Sequence, residues 1–418
     1  MGTLNEALLK SATRLKDNRK NLAALTAARR ALAIEASAEA HGTLGAIQWN
    51  NDDFSGAIRS LRRSLATEPH NATDWAHLGL AQSSLGRWDD AEASYERALA
   101  INPDNVAVRW NRANFRLAAG RWDSGFEDYE SRIAFRGPPH YPRWKYPTWT
   151  GEELNDKTIV VFAEQGVGDT ILSSRYVWHL KQVYPRVRII WFVQPRLHDL
   201  FWEFRDFVEF WPPGHPWPDA DYAIFQMSLL RAFKARPDTI IADPGLILKR
   251  AKKGKDSIRI PESAPMKIGI AWTGNPDMLA NEQRSIPLEL ILSLAENPKI
   301  QLYSLQVGDG ADHLRFVDCA DLVRDCSPEL TTFGFAGAAS LMLNLDLVLT
   351  VCTATAHLAG ALGVPCWTML SYDPYWVWLR ESSVTPWYPQ MKLFRQPKPL
   401  DWESVVSDVK QQLRRAAA

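Results

Sequence analysis

Residues 157–181 read KTIVVFAEQGVGDTILSSRYVWHLK. A run of β-branched and aromatic residues (158–162) is followed by a glycine-marked loop and then a stretch of helical texture (169–183). Strand, glycine turn and helix in that order are the unit of a parallel α/β sheet. Such a loop ordinarily cradles a phosphate on the helix N-terminus. This one carries two acids, Glu164 and Asp169, that repel an anion. Gly166 and Gly168 let the turn approach a substrate closely. Glu164 either orients the loop or is a solvated strand end.

The alternation continues downstream. VRIIWFV (187–193), a helical stretch near 196–206, FVEFW (207–211) and ADYAIF (220–225) complete a first lobe over 158–250. RAKKGKDSIRIPESAP is polar and proline-marked, giving a linker over 251–266. A second cycle over 267–399 contains KIGIAW (267–272), a helix at 287–296, IQLYSLQ (300–306), LDLVLTV (345–351), a helix at 354–362 and CWTML (366–370). Short loops between alternating elements imply two Rossmann-like lobes with a cleft between them. LDWESVVSDVKQQLRR is an amphipathic helix within the terminal segment 400–418.

Upstream the texture is different. GRWDDAEASYERAL (86–99) and GRWDSGFEDYESRI (120–133) align at an offset of 34, and NDDFSGAIRSLRRSL (51–65) falls in phase. Residues 72–105 carry Trp75, Leu78, Gly79, Ala91, Tyr95, Ala98 and Pro103 at the spacing of a tetratricopeptide repeat. The unit at 106–139 keeps Tyr129 but has Arg112 and Ala113 where Leu-Gly is usual, and residues 4–37 read as a degenerate helix pair. Residues 1–136 thus resemble a tetratricopeptide array, whose groove binds peptide segments or serves only as a scaffold. GPPHYPRWKYPTWTG opens an extended, packed connector over 137–157.

The composition excludes several classes of function. Net charge is zero and 23% of residues are charged, so there is no general attraction to nucleic acid or anionic lipid. No apolar run approaches 18 residues, so no membrane span is expected. Four cysteines without a CxxC fit a reducing cytoplasm. Asp219-Ala-Asp221 matches a metal–nucleotide motif in form, but it follows a proline-rich turn, and no metal is expected.

Two stretches of the second lobe suit an anion. In 267–287 a strand ends in Thr273, Gly274 and Asn275, and Arg284-Ser285 follow a polar loop; hydroxyls, a glycine and an arginine there fit a pyrophosphate. In 346–363 a strand ends in Thr353, Ala354 and Thr355, and His357 lies in the first turn of a small-residue helix with free backbone N–H groups, either as a ligand contact or as a satisfied histidine of a packing helix. The aromatic stretch 371–389 offers Tyr372, Trp376 and Trp387 as pocket walls or as packing for the returning chain.

AEQGVGDTILSSRY, IAWTGNPDMLANEQRSIPLE, TVCTATAHLAGALGVPCW and PWYPQMKLFRQ together resemble bacterial tetratricopeptide-linked glycosyltransferases. Their catalytic part is similar to the ADP-heptose lipopolysaccharide heptosyltransferases of glycosyltransferase family 9. The resemblance implies an all-α tetratricopeptide array followed by an α/β GT-B fold, with the acceptor on the first lobe and the nucleotide-sugar on the second. It implies inverting transfer without a metal or other cofactor, the nucleotide-sugar being a co-substrate. The family's general base falls on Asp169, its diphosphate-facing cation on Arg284, and its nucleotide motif on Cys352, Thr353 and His357. Glu164, Gln165, Gly166 and Gly168 then form an acceptor-side loop. The family usually has Asp where this chain has Cys352, which leaves open another donor, such as a CMP- or UDP-sugar, or a degenerate site.

Three functions follow as expectations: glycosyl transfer to a protein or peptide offered by the repeat groove, transfer to lipopolysaccharide or another glycan, or a non-catalytic repeat adaptor. The fused repeats favour the polypeptide acceptor. A dinucleotide-dependent oxidoreductase lacks its G-x-G-x-x-G signature.

Overall fold

The computed structural model describes residues 2–18, 20–138, 141–254, 258, 260, 266–278, 281–317, 319 and 321–416. The chain divides into two compact units between Gly137 and Pro138.

The first unit is a row of antiparallel helix pairs. These are α1 (Gly2–Asp17) with α2 (Asn21–Ile34), α3 (Ala38–Asn50) with α4 (Phe54–Thr67), α5 (Ala72–Ser84) with α6 (Trp88–Ile101), and α7 (Val106–Ala118) with α8 (Trp122–Tyr129), followed by the short α9 (Ser131–Arg136). Asp53, Asn71 and Asn105 cap their helices by accepting from backbone N–H groups two or three residues on. Each pair buries its apolar stripe against the next, as where Ala57, Leu61 and Leu65 meet Leu78 and Ala81. Arg112, where the repeat pattern has Leu, is matched by Asp128 on α8. Its Nε and Nη2 donate to the two carboxylate oxygens at 2.7 and 2.9 Å, and Arg116 Nη1 adds a third bond at 2.8 Å. A half-buried charge is tolerated there because it is paired bidentately.

The second unit holds two parallel sheets. In the first, β1 (Thr158–Phe162), β2 (Arg188–Phe192), β3 (Val208–Phe210) and β4 (Tyr222–Phe225) lie in the order β3-β2-β1-β4, all parallel. The centre of β1 is buried, as a strand covered on both faces must be. Helix α10 (Val167–Val183) follows it and is buried along most of its length. The expected helix near 196–206 is instead two 3-10 turns, Pro195–Leu197 and Trp202–Asp206. The aromatic connector adds to this sheet: Trp149 N donates to Ala223 O at 2.9 Å and Ala223 N to Pro147 O at 3.0 Å. Tyr146 and Trp144 pack on Val160 and Ile190. Residues 139 and 140 of that connector lie outside the described residues.

Helices α11 (Ser228–Ala232) and α12 (Leu246–Lys253) close the first lobe, so the expected linker over 251–266 starts inside a helix. Residues 255–257, 259 and 261–265 of it lie outside the described residues.

The second sheet contains β5 (Met266–Ala271), β6 (Ile300–Ser304), β7 (Val323–Asp325), β8 (Leu347–Val351), β9 (Cys366–Leu370), β10 (Val384–Thr385) and β11 (Tyr388–Arg395), in the order β10-β11-β9-β8-β5-β6-β7. All its pairings are parallel except the β10–β11 hairpin. Its helices are α13 (Asn281–Arg284), α14 (Leu288–Leu292), α15 (Asp309–Phe316), α16 (Ser327–Met342), α17 (Ala354–Leu362) and α18 (Trp402–Ala416). The helix expected at 287–296 turns into a 3-10 segment from Ser293. Trp402, Val405, Val406, Val409 and Leu413, on one face of α18, enter the core beside Ile268 and Leu302. Each such burial contributes on the order of 1.5–3 kcal/mol, which ties the chain terminus into the second lobe.

The two lobes touch where the starts of α10 and α17 meet. A Cβ at Gly168 would lie 2.6 Å from His357 Cδ2 and 3.5 Å from Ala354 Cα, so the approach needs a glycine. Deeper in, Arg175 of α10 is buried; its Nη1 donates to Ile241 O and Trp387 O at 3.2 Å each, and it lies over the Tyr388 ring.

Candidate functional site

The loop 163–166 turns sharply after β1. Gln165 adopts the left-handed region, with φ 64°, and Gly166 caps α10. Asp169 is the third helical residue, and its Oδ2 accepts from the Gly166 N–H at 2.9 Å. Its Oδ1 accepts from the Tyr375 hydroxyl of the second lobe at 3.0 Å. Burial pushes the Asp169 carboxyl up to about 6, and Glu164 nearby adds to the shift; the hydrogen bonds from Gly166, Tyr375 and its own backbone N–H oppose it. The carboxyl is therefore mostly ionised at neutral pH yet able to take a proton.

Glu164 does something else. It is buried, its Oε2 accepts from the Tyr141 hydroxyl at 2.9 Å and its Oε1 from the Met227 N–H at 3.1 Å. Its carboxylate ties the connector to the end of β4.

Across from Asp169 stands the end of β8. The Cys352 Sγ accepts from the Trp378 indole N–H at 2.9 Å, and the Cys352 carbonyl accepts from Arg284 Nη1 at 3.1 Å. Burial pushes the Cys352 thiol up, so it is neutral at physiological pH. Arg284 is held from behind as well, its Nε donating to Asn281 Oδ1 at 3.1 Å. The same Asn281 oxygen accepts from the Gly274 N–H at 3.0 Å, and a Cβ at Gly274 would strike the Arg284 guanidinium at 2.2 Å. Thr273 and Ser285 join this cluster, their hydroxyls 2.8 Å apart. Asn275 is exposed and its oxygen accepts from Asp277 N, so it stands apart.

Thr353 caps α17 with no side-chain bond to the helix, so the backbone N–H groups of Ala354 and Thr355 head a nine-residue helix whose dipole favours an anion. His357 is 4% exposed; its Nδ1 lies 3.2 Å from the Tyr388 hydroxyl and its ring stacks on Trp378 at 5.0 Å. Burial, aided by the Arg175 charge, holds it down to about 3. It is a neutral packing and orienting group between α10 and α17.

The structure thus gathers Gln165, Gly168, Asp169, Arg284, Cys352, the start of α17, Tyr375 and Trp378. Trp376 is 2% exposed and packs on Trp387, and Tyr372 lies under Arg380. Tyr375 and Trp378, which the sequence analysis did not single out, are the aromatics at the site. Asp221, of the Asp-x-Asp pair, accepts from Thr158 N at 2.8 Å and faces Lys157, which gives it a role in closing the sheet end. Among the described residues no cluster of three His, Cys, Asp or Glu could hold a metal, and no helix is long and apolar enough to cross a membrane. The repeat array carries two open depressions of about 440 Å³ each. One is lined by Leu65, Trp75 and Leu78 with Arg62 and Arg97; the other by Arg109, Arg112 and Asp128.

Comparison with known proteins gives the following. Protein FlbA of Caulobacter vibrioides is 26% identical over 304 residues, covering 66% of this chain and 50% of that protein. The chain therefore spans about half the length of the curated relative it matches. Escherichia coli heptosyltransferase WaaC, solved with ADP-2-deoxy-2-fluoro heptose, superposes at a TM-score of 0.44 with 12% identity, over 62% of this chain and 99% of that one. A family 9 glycosyl transferase from Veillonella parvula gives 0.42 with 12% identity, over 64% and 98%. Residues 72–105 match the family model of the tetratricopeptide repeat. With helix pairs in phase on either side of that unit, the array in front of the α/β region is a tetratricopeptide array.

Proposed function

We propose that the chain is an inverting glycosyltransferase of GT-B type that moves a sugar from a nucleotide-sugar to a protein or peptide acceptor bound by the repeat array. The observation that carries this reading is the facing of Asp169, with its carboxyl raised to about 6, against the anion-suited start of α17 and Arg284 on the other lobe. Asp169 Oδ1 accepts the proton of an acceptor hydroxyl. The acceptor oxygen forms its bond to the anomeric carbon as the bond from that carbon to the donor phosphate breaks, and the electron pair leaves on the nucleoside diphosphate. The growing phosphate charge is met by the free N–H groups of α17 and by Arg284, so the reading requires no metal. The likeness to family 9 transferases and the fused repeats agree with it. Four free cysteines fit a cytoplasmic setting.

A thermal-shift screen across UDP-, GDP-, ADP- and CMP-sugars tests the donor side. A ligand at about 100 times its dissociation constant adds roughly 2.7 kcal/mol to stability. Asp169→Asn abolishes transfer and leaves that shift in place. Transfer that survives the substitution removes Asp169 as the base, and silence from every donor favours a non-catalytic adaptor, the reading that the burial of His357 supports.

A further inference from the structure

The Tyr375 hydroxyl stands between two acceptors contributed by the opposite lobe. Asp169 Oδ1 is 3.0 Å away and Gln165 Oε1 is 3.4 Å away. A phenol carries one proton, so it serves one of the two at a time. The other Asp169 oxygen is committed to the Gly166 N–H, so Oδ1 is the atom that an incoming hydroxyl has to reach. Gln165 is kept beside it by a left-handed backbone, a conformation costly for a residue with a Cβ and met most often at functional turns. The Tyr375 ring is held in turn, packed on buried Trp376 at 5.5 Å.

We propose that Tyr375 is a positioning residue that holds Asp169 Oδ1 in the resting protein and hands it to an acceptor hydroxyl by turning its single proton to Gln165. The inference rests on the reading of Asp169 as the base. No heavy atom has to move: rotation about the phenol C–O bond changes the partner, and the carboxylate keeps its aim because its second oxygen stays on the helix start. The hand-over keeps both protons bonded, since the acceptor hydroxyl replaces the tyrosine on Oδ1 while Gln165 Oε1 takes the tyrosine proton. Binding of an acceptor and release of the base are then one event, and a carboxylate without an acceptor stays occupied. The groups that face Asp169 are Glu164 from its own loop, Cys352 with Arg284 behind it, and Tyr388 beside neutral His357. None of these donates to Oδ1, so the tyrosine contact is separable from them.

The test is a carbon-13 titration of the full-length chain labelled at the aspartate carboxyl carbons, with Asp169→Asn identifying the Asp169 resonance by its loss. The wild-type midpoint is expected at about 6. Tyr375→Phe removes a donor to the charged form and moves the midpoint up by about one pH unit. Gln165→Ala removes the competing acceptor, leaves the tyrosine proton on Asp169, and moves it down by a few tenths of a unit, on the order of a modest hydrogen-bond gain. Opposite signs for the two variants are what a shared proton produces. A Tyr375→Phe midpoint at or below the wild-type value overturns the proposal, as does an upward shift in Gln165→Ala, which decides the matter alone if the phenylalanine variant does not fold. The titration uses neither donor nor acceptor, so its outcome is independent of the donor screen.

Discussion

Gly168→Ala adds one methyl group where α10 meets α17, and its consequence can be worked from the contacts. The new Cβ would stand 2.6 Å from His357 Cδ2, nearly an ångström inside ordinary contact. The imidazole has nowhere to retreat, because one face stacks on Trp378 at 5.0 Å and its Nδ1 is engaged by Tyr388, itself 1% exposed. Moving the ring breaks that bond and leaves the Tyr388 hydroxyl only its contact with Arg175, about 1 kcal/mol, on top of about 2 kcal/mol of overpacking. Alanine gains up to about 1 kcal/mol over glycine in a helix. The net expectation is a loss of about 2 kcal/mol in the α/β unit. Because the chain has two units, a single melting curve mixes their transitions, so the assay is native-state hydrogen exchange of peptides from β1 and β8. These amides should exchange roughly 30-fold faster in the variant. In a His357→Ala background the obstruction is gone, and the same alanine should be neutral or stabilising by up to about 1 kcal/mol. If Gly168→Ala costs the same in both backgrounds, the close approach to His357 is not what the glycine serves.

Asp169→Asn should also change the dependence of stability on pH. The folded carboxyl titrates near 6 instead of the usual 3.8, so the folded state favours the protonated form. That contribution is complete below about pH 4 and is lost as pH rises through 6. Asparagine lacks the dependence, so its stability relative to wild type should climb by about 3 kcal/mol between pH 4 and 8; a pH-independent difference counts against a buried, raised carboxyl. In the repeat array, Asp128→Asn takes the paired carboxylate from half-buried Arg112, while Arg116 keeps Glu92, and should cost about 2 kcal/mol. Arg112→Leu restores the residue type usual at that place and leaves Asp128 to Arg116, so it should cost clearly less. Equal losses in urea unfolding, read through exchange in α7, would mean that Asp128 does not compensate for the arginine.

The repeats and most strands are legible because their signals are local: a 34-residue period and runs such as Thr158–Phe162 need no knowledge of partners. Strand β11 escapes because Pro389 breaks its start and its burial follows no period of two, Pro389 and Gln390 being exposed and Leu393 and Phe394 buried in succession. The site is legible only in halves. Asp169 and the start of α17 stand out by residue type, but the group that holds Asp169 lies 206 residues away, and no period connects them. The choice among aromatics fails for a geometric reason that the sequence does contain. Tyr375 and Trp378 are three residues apart across a 3-10 turn, where positions i and i+3 eclipse, and they reach Asp169 and Cys352, while Trp376, buried like Trp378, packs on Trp387 instead. Glu164, next to the glycine loop, reads as a site acid, yet both of its oxygens serve the fold.

Cys352 bears on the same electrostatics. The thiol still accepts a hydrogen bond, from Trp378, so the acceptor function of an aspartate at this place is kept, and its charge is not. A carboxylate there would be a second anion near Asp169 and would drive that carboxyl above 6, toward a form protonated at neutral pH. With a neutral thiol as its neighbour, Asp169 stays ionised at neutral pH while remaining basic enough to take a proton.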